Sequence, residues 1–327
     1  MDDLFESIID YAITNEATDI HLTLKQELII NLRIFGKVTH YLTLDQLTGS
    51  RLLNYIKYKG SININYRLKP QTGSFHYVIN EHTYFLRISF LPGHDFESIV
   101  IRILNNHQSI TIDNLSPITT FRKFILHIVS LSSGLFLVSG ATGSGKSTTL
   151  YAMIDYIAAQ GGRHIVTLED PVEMIKEGCL QIEMNDAMGI SYENTLRQIL
   201  RHDPDVIMIG EIRDERTAAL AITCALTGHL VLSTIHASNT QLVLKRLLNL
   251  GVKDTDLLDV LTGIASQKII YDHDHHKIFI LPEMMTRDTI NAILCHEKPK
   301  VINTFHINAR YLVANGYIDQ KLVDHLL

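Results

Sequence analysis

The sequence predicts an α/β protein in which a parallel-sheet domain follows a smaller α+β domain. Its 327 residues exceed the length of a typical single domain. In the second part of the chain, short apolar strand segments alternate with helical segments, which is typical of a parallel sheet with crossover helices. Between the two parts, residues 108–119 are polar and rich in breakers, so we expect a linker between domains at 1–107 and 120–327.

Composition and charge limit the class of protein. With 46% hydrophobic and 20% charged residues, the chain has the balance of a soluble globular protein. A formal net charge of −6 gives no global attraction to nucleic acid, so no direct nucleic-acid binding is expected. No apolar run approaches the roughly 18 residues that span a bilayer, and the acidic N-terminus carries no visible export signal. Cys179, Cys224 and Cys295 are far apart and odd in number, which predicts buried thiols in a reducing, cytoplasmic compartment.

The first domain is predicted to open with an amphipathic helix, because four apolar side chains share one helical face: Leu4, Ile8, Ile9 and Ala12. Strands rich in β-branched and aromatic residues follow it. They are predicted at 19–24, 28–35, 75–79, 84–90 and 99–104. Turn signals at Phe35-Gly36 and Pro92-Gly93 separate some of them, which favours an α+β sheet domain.

The second domain is predicted to alternate strands and helices. Buried strands are expected at 135–139, 164–168, 206–209 and 230–234, and a helix with apolar side chains at helical spacing is expected at 146–159. The segment from about 286 to 327 looks helical, so we expect a small C-terminal appendage there.

One loop in this domain fits the P-loop pattern, in which two glycines flank four residues and Lys-Ser follows. The nucleotide-binding residues that it predicts are Gly140, Ala141, Thr142, Gly143, Ser144, Gly145, Lys146, Ser147 and Thr148. Glycines let backbone N–H groups surround phosphate, Lys146 balances the β/γ charge and the Ser147 hydroxyl is a ligand for Mg²⁺. The loop lies between a buried strand and an amphipathic helix, as this chemistry requires, and it predicts binding of ATP with Mg²⁺. The alternative is a flexible glycine turn.

Carboxylates follow two other predicted strands. Glu211 ends an apolar strand, where it can hold Mg²⁺, directly or through water, or orient the attacking water. Glu169, Asp170 and Glu173 follow another strand, and ligands of doubly wound sheets bind at the carboxyl ends of strands. Without the P-loop, Glu211 would be interpreted as a surface residue. The three carboxylates that follow the other strand would be interpreted as an acidic turn that caps it.

Four segments in this order resemble the type II/IV secretion and pilus ATPase superfamily. GATGSGKSTTLYA is similar to its Walker A box, TLEDPVE to its Asp box and LRQILRHDPDVIMIGEIRD to its extended Walker B. ALTGHLVLSTIHA resembles its His box, with His229 and His236. In the first domain, ATDIH, RIFG, RLKPQTG, FLRIS and VIRIL are similar to family segments as well. For His229, a purely structural role is the alternative.

The resemblance implies a RecA-like P-loop NTPase motor domain after a smaller, PAS-like N-terminal α+β domain. It also implies a ring of six subunits with nucleotide between the two domains. Glu169 would be the base or water-orienting acid, Glu211 the Walker B acid, and His236 would lie near the γ-phosphate. Arg87 and Arg102 would supply positive charge as the ring closes, which suits a reaction that depends on charge neutralisation. A surface ion pair is the alternative for either arginine.

Departures from the family pattern narrow the subfamily. An extra N-terminal domain, a tetracysteine zinc insertion and the C-terminal helix typical of retraction motors are not found. In place of the zinc insertion, His273, His275 and His276 are interpreted as a solvated hairpin tip, with metal binding as the alternative. The chain most resembles the competence motors of Gram-positive bacteria.

That resemblance implies a hexameric motor for pseudopilus assembly in DNA uptake, at the inner face of the cell membrane, with a polytopic inner-membrane platform protein as partner. A pilus retraction motor, a type II secretion motor and a non-hydrolysing ATP-binding scaffold ring are the alternatives.

Overall fold

The computed structural model describes residues 1–63, 69–79, 82–104, 110–184, 192–272, 277–299, 303–321 and 323. Contacts divide the chain into two units, Met1–Ser109 (unit 1) and Ile110–Leu327 (unit 2). Each unit has its own sheet and its own hydrophobic core.

Unit 1 is an α+β fold around one antiparallel sheet with the strand order β3-β2-β1-β6-β5-β4. In chain order, its elements are α1 (Asp2–Thr14), β1 (Ala17–Leu24), β2 (Glu27–Ile34), β3 (Lys37–Asp45), α2 (Gln46–Lys59), β4 (Gln71–Ile79), β5 (His82–Pro92) and β6 (Glu97–Leu104). The predicted helix and the five predicted strands are confirmed, and β3 and α2 are additional. β3 escaped prediction because it is an edge strand with mostly exposed side chains, so it lacks an apolar run.

One face of the unit 1 sheet is covered by the two helices. Phe5, Ile8 and Ile9 of α1 are buried there, as are Leu52 and Ile56 of α2. Because side chains alternate across a strand, the residues between the buried ones point to the other face of the sheet. That face carries the arginines described below.

Unit 2 is built on a seven-stranded sheet with the order β13-β12-β7-β11-β10-β8-β9. Its elements are α3 (Thr119–Ser130), β7 (Gly134–Ser139), α4 (Lys146–Gln160), β8 (Ile165–Glu169), β9 (Cys179–Glu183), α5 (Tyr192–Ile199), β10 (Val206–Ile212), α6 (Glu215–Leu226), β11 (Leu230–Ile235), α7 (Thr240–Asn249), α8 (Asp254–Val260), β12 (Leu261–Asp272), β13 (Lys277–Thr286), α9 (Arg287–Leu294) and α10 (Phe305–Ala314). Neighbouring strands are parallel except for the antiparallel pair β12–β13. The predicted parallel sheet with crossover helices is confirmed.

The central strands of unit 2 are buried on both faces. In β7, Phe136 and Val138 enter one hydrophobic cluster, and Leu135 and Leu137 enter the cluster on the opposite face. This double burial explains why the strand reads as a continuous apolar run instead of an alternating one.

The segments at both ends of unit 2 contribute to its core. Residues 108–119 were predicted to be a linker, and within them Ile112, Leu115 and Ile118 are buried in the unit 2 core. The Ser116 hydroxyl donates a hydrogen bond of 2.7 Å to the carbonyl oxygen of Ile280 on β13. At the C-terminal end, where an appendage was expected, α10 buries its apolar face in the same core.

The cysteines are all free, but only Cys224 is buried; Cys179 is half-buried and Cys295 is exposed. The expectation of three buried thiols is therefore wrong for the last two. Burial raises the pKa of Cys224 to about 12 and that of Cys179 to about 11, so both are held as thiols at neutral pH.

Within the part of the chain that the structure describes, no helix is both long and apolar enough to cross a membrane. No group of three or more His, Cys, Asp or Glu side chains there could hold a metal ion. The predicted histidine cluster, His273, His275 and His276, lies outside the described residues.

Candidate active site

The loop between β7 and α4 has a backbone that only glycine fits well at several positions. Gly140, Gly143 and Gly145 have φ values of 147°, 77° and 83°, which side chains with a Cβ rarely adopt. A Cβ on Gly140 would lie 2.5 Å from the carbonyl oxygen of Gln267 and would also collide with the Ser144 hydroxyl. The loop is therefore packed tightly against β12.

Lys146, the first residue of α4, reaches back over this loop. Its Nζ donates hydrogen bonds to the carbonyl oxygens of Gly140 at 3.0 Å and Ala141 at 2.9 Å. Burial lowers the pKa of Lys146, and the nearby charge of Glu173 opposes that shift. A positive charge thus lies at the mouth of the loop and at the positive end of the α4 dipole.

The loop fits a phosphate group on chemical grounds as well. The Ser144 hydroxyl is buried and has no hydrogen-bond partner among the described residues, which is costly unless a ligand supplies one. Ser147 and Thr148 lie in the first turn of α4, where their side chains are partly exposed. A hydroxyl and a nearby carboxylate are oxygen ligands of the kind that Mg²⁺ prefers.

The sheet topology brings four predicted site segments to one edge. Ser139 at the end of β7 is paired with Ile235 at the end of β11, and Leu168 in β8 is paired with Ile209 in β10. Because these strands are parallel, the P-loop, Glu169, Glu211 and His236 all lie at or just after the carboxyl ends of adjacent strands. That edge is where ligands bind to sheets of this type.

Glu169 is buried, with 3% of its surface exposed, and protein donors bind both of its carboxylate oxygens. Oε1 accepts hydrogen bonds from the Thr167 hydroxyl at 2.6 Å and from Gln181 Nε2 at 3.0 Å. Oε2 accepts a hydrogen bond from the Tyr151 hydroxyl of α4. Burial, followed by the charge of Glu169, raises the pKa of Tyr151, so the tyrosine is the donor. These three donors offset the cost of burying the carboxylate.

Glu211 lies in a second, more open network. Its carboxylate pairs with Arg213 Nε, and its Oε2 lies 3.2 Å from His236 Nε2. Arg213 Nη1 in turn lies 3.0 Å from an oxygen of Asp170, so the network joins the ends of β10, β11 and β8. Sequence reasoning missed Arg213. Arg213 could have been predicted from its position two residues after Glu211, because residues two apart lie on the same side of an extended segment.

His236 connects this network to the P-loop. Burial and the charge of Lys146 lower the pKa of His236, while a hydrogen bond to the backbone of Gly140 opposes the shift. Burial and the charge of Lys146 thus favour the neutral form of the imidazole.

The structure does not bring His229 to this site. His229 precedes β11, and its carbonyl oxygen accepts a hydrogen bond of 3.0 Å from the amide of Gly134 at the start of β7. Its Nδ1 lies 3.0 Å from both the Cys224 carbonyl and the Thr227 hydroxyl. His229 is thus about 20 Å, the length of a six-residue strand, from the P-loop edge of its own sheet. His229 thus lies at the opposite edge because it precedes a parallel strand, and its catalytic role stays a prediction.

The two predicted arginines lie in unit 1. Arg87 on β5 and Arg102 on β6 are directly opposed, so both lie on one face of this pair of strands. Both are exposed. Arg102 Nε lies 2.9 Å from Oδ1 of the buried Asp19, whose other oxygen lies 3.7 Å from Arg33 Nε.

The seven-stranded sheet, parallel except at β13, and its phosphate loop define a P-loop ATPase with a RecA-like motor fold. Comparison with known proteins agrees. The family described as "Type II/IV secretion system protein" matches residues 1–303. The chain therefore belongs to the type II/IV secretion system protein family of secretion and pilus ATPases.

Named relatives fall in two groups. The chain is 39% identical to the competence protein ComGA of Halalkalibacterium halodurans, over 79% of this chain and 75% of that protein. It is 36% identical to ComGA of Bacillus subtilis, over 81% and 75% respectively. The putative type II secretion system protein E of Escherichia coli is 37% identical over 82% of this chain, which spans only 54% of that longer protein.

Solved structures share the fold. The ATPase DotB of Legionella pneumophila superposes with a TM-score of 0.81 at 21% identity, over 99% of this chain and 95% of DotB. The pilus retraction motor PilT with bound ADP superposes with a TM-score of 0.70 at 24% identity, over 96% and 94%.

Proposed function

We propose that this chain is a hexameric ATPase that powers assembly of a type IV pilus-like pseudopilus for DNA uptake. The observation that carries the proposal is the similarity to two ComGA proteins, at 39% and 36% identity, over 75% of the length of each. The motor would work in the cytoplasm at the inner face of the cell membrane. A polytopic inner-membrane platform protein would be its partner, and it would not bind nucleic acid directly.

The loop geometry supports the catalytic part of the proposal. The loop backbone and Lys146 would hold the β- and γ-phosphates of ATP. His236, which is hydrogen-bonded to the backbone of Gly140 in that loop, would lie near the γ-phosphate. Ser147 and Glu211 would hold Mg²⁺, which neutralises phosphate charge when bound. Glu211 is paired with Arg213 and His236, which orient its carboxylate.

Glu169 is the proposed base or water-orienting acid. Its position at the end of β8 places it at the same sheet edge as the P-loop, and its buried environment fixes its orientation. A scaffold ring that only binds ATP would need Lys146 but not two acids held by specific partners. For this reason the hydrolysing motor is preferred to the scaffold.

The test is made in the cell that encodes the chain. The chromosomal gene is replaced by the Lys146→Ala variant or by an exposed control on α3, Lys123→Ala. We expect the first variant to abolish uptake of labelled DNA and formation of the pseudopilus, at unchanged protein level, and the control to leave both intact. Normal DNA uptake in the Lys146→Ala strain, together with lost protein secretion or lost filament retraction, would favour one of the two alternative motors.

A further inference from the structure

Tyr151 links the phosphate loop to Glu169. It lies on α4, the helix that begins at Lys146, and it is 3% exposed. Its hydroxyl donates a hydrogen bond to Oε2 of Glu169. The raised pKa of the Tyr151 phenol keeps it in the donor form. The helix α4, which directly follows the phosphate loop, therefore also holds one oxygen of Glu169, the proposed catalytic acid.

The other oxygen of Glu169 is held by groups that are themselves fixed. Thr167 is fully buried on β8 and donates to Oε1. Gln181 on β9 also donates to Oε1, and both ends of its amide are engaged elsewhere. Its Oε1 accepts a hydrogen bond of 2.7 Å from the Lys176 amide, and its Nε2 also donates 2.8 Å to the Met174 carbonyl. The amide orientation is thus determined, and its N–H faces Glu169.

The segment that precedes β9 is anchored to α4 as well. Lys176 Nζ lies 2.7 Å from Asp155 on α4, and it lies 5.5 Å from the centre of the Tyr151 ring. The ring of Tyr151 is therefore packed beneath a cation while its hydroxyl meets a carboxylate. Movement of α4 relative to β8 and β9 would change the direction of the Glu169 carboxylate.

We infer that Tyr151 is a positioning residue for Glu169, with Thr167 and Gln181 as the fixed donors on the other oxygen. This inference rests on the proposed role of Glu169 in hydrolysis. Tyr151 holds Oε2 of Glu169 while the other two donors hold Oε1. Its role is therefore to orient the Glu169 carboxylate and not to transfer a proton. The consequence is that the hydroxyl matters for turnover and not for nucleotide binding, since Glu169 is the group proposed to act on the attacking water.

The experiment compares Tyr151→Phe with Tyr156→Phe in steady-state ATP hydrolysis by the full chain. Tyr156 is a matched control because it lies on the same helix and is 39% exposed. We expect Tyr151→Phe to lower kcat by about tenfold or more, as loss of a hydrogen bond to a charged group does, and to change KM by less than about twofold. Tyr156→Phe should match the parent in both parameters. A loss that appears only in KM, or parent kinetics for Tyr151→Phe, would overturn the inference.

A double-mutant cycle separates positioning from general destabilisation. Thr167→Val removes the Thr167 donor to Glu169 with little change of side-chain shape in a fully buried strand. If Tyr151→Phe folds poorly, Thr167→Val still tests whether the donors to Glu169 position it. Each donor variant is combined with Glu169→Gln. We expect each to lower kcat in the parent background and to cause no further loss beside Glu169→Gln, because the group that it positions has already been replaced. Independent, multiplicative losses would show that the donors act through something other than Glu169.

Failure of the underlying function is distinguishable. If Glu169→Gln alone leaves turnover unchanged, the proposed role of Glu169 is wrong and the inference fails with it. If Glu169→Gln abolishes turnover while both donor variants retain the parent kcat, only the positioning inference fails.

Discussion

The ammonium group of Lys146 is held by two carbonyl oxygens of the loop that it serves. These bonds satisfy two of the donor positions of the ammonium group, and their distances of 3.0 and 2.9 Å are those of ordinary hydrogen bonds. Each is worth about 1 kcal/mol net, because water can replace the partner at a partly exposed site. The side chain therefore adds little to stability and much to the electrostatics of bound phosphate.

Lys146→Ala tests that separation. We expect ATP turnover to be lost because no cation balances the β/γ charge, while the glycine backbone stays intact. The melting temperature without nucleotide should fall by no more than about 8 °C, which corresponds to about 2 kcal/mol for the two bonds together in a unit of this size. Turnover is measured on the purified variant beside Lys123→Ala. Turnover at the parent level in Lys146→Ala would remove the loop from the active site.

The two acids at the site differ in environment, and substitution can distinguish their roles. Glu169 is closed in by three donors, whereas Glu211 is paired with Arg213 and His236 and is 18% exposed. Glu169→Gln keeps the shape of the side chain but cannot accept a proton. We expect ATP still to bind and turnover to fall by about 10²-fold or more. Nucleotide affinity is measured by titration and turnover by phosphate release.

Glu211→Gln is the comparison for that experiment. If Glu211→Gln traps ATP while Glu169→Gln hydrolyses it normally, the roles of the two acids are reversed.

At the scale of elements, Glu283 on β13 joins two helices to the sheet. Its Oε1 accepts hydrogen bonds of 2.8 Å from both the amide and the hydroxyl of Thr240, the first residue of α7. Its Oε2 accepts one of 3.4 Å from the amide of Phe305, the first residue of α10. A single buried carboxylate thus stabilises two helix N-termini, where negative charge is favourable. The α7 contact also fixes the far end of the segment that begins with His236.

Glu283→Gln should therefore destabilise unit 2. The amide has only one acceptor oxygen, so one of the two helix N-termini must face an N–H group, and the charge interaction with both is lost. We expect a loss of about 2 kcal/mol, seen as a lower melting temperature or urea midpoint. Glu297→Gln is the control, because that residue is exposed, and it should change stability by less than about 0.5 kcal/mol. Equal stability of the two variants would contradict the bridging role.

At the scale of the whole molecule, the arginines of unit 1 connect local structure to the proposed ring. Arg102 has a structural partner in Asp19, which contacts its Nε. The Arg102 side chain is 52% exposed, and its two terminal nitrogens are not part of that contact. Arg87 lies directly opposite on the next strand. Two adjacent guanidinium groups on one exposed face suit an anion. Our proposal is that they act on nucleotide when domains or subunits close.

Substitution of each arginine tests this coupling. We expect Arg87→Ala and Arg102→Ala each to lower turnover by about 10²-fold, less than the 10³–10⁵ of the best-placed arginines. Only Arg102→Ala should also destabilise unit 1, because it leaves buried Asp19 without its closest cation. Arg33→Ala, which removes the more distant partner of Asp19, is the control. Turnover and nucleotide affinity are measured on protein whose oligomeric state is checked by native mass spectrometry. Parent turnover of both variants in an intact hexamer would exclude unit 1 from catalysis.

Features that depend on residues close together in the chain were predictable from the sequence. The phosphate loop can be recognised because its glycines, Lys146 and Ser147 lie within one short segment. The central strands of unit 2 can be recognised because burial on both faces makes them apolar throughout. The placement of Glu169 and Glu211 at one edge followed from the rule for parallel strands. The same rule, applied to a residue that precedes its strand, would have put His229 at the opposite edge.

Contacts between groups that are far apart in sequence were not predictable in this way, and the fold shows which of them form. Tyr151 and Gln181 converge on Glu169, and Glu283 reaches two helices, because sheet order and helix packing bring together segments that are far apart in sequence. No local pattern encodes such contacts, since burial and hydrogen bonding are set by partners from other elements. β3 and β9 escaped prediction for the related reason that edge strands are defined by pairing with a neighbour and not by an apolar run of their own.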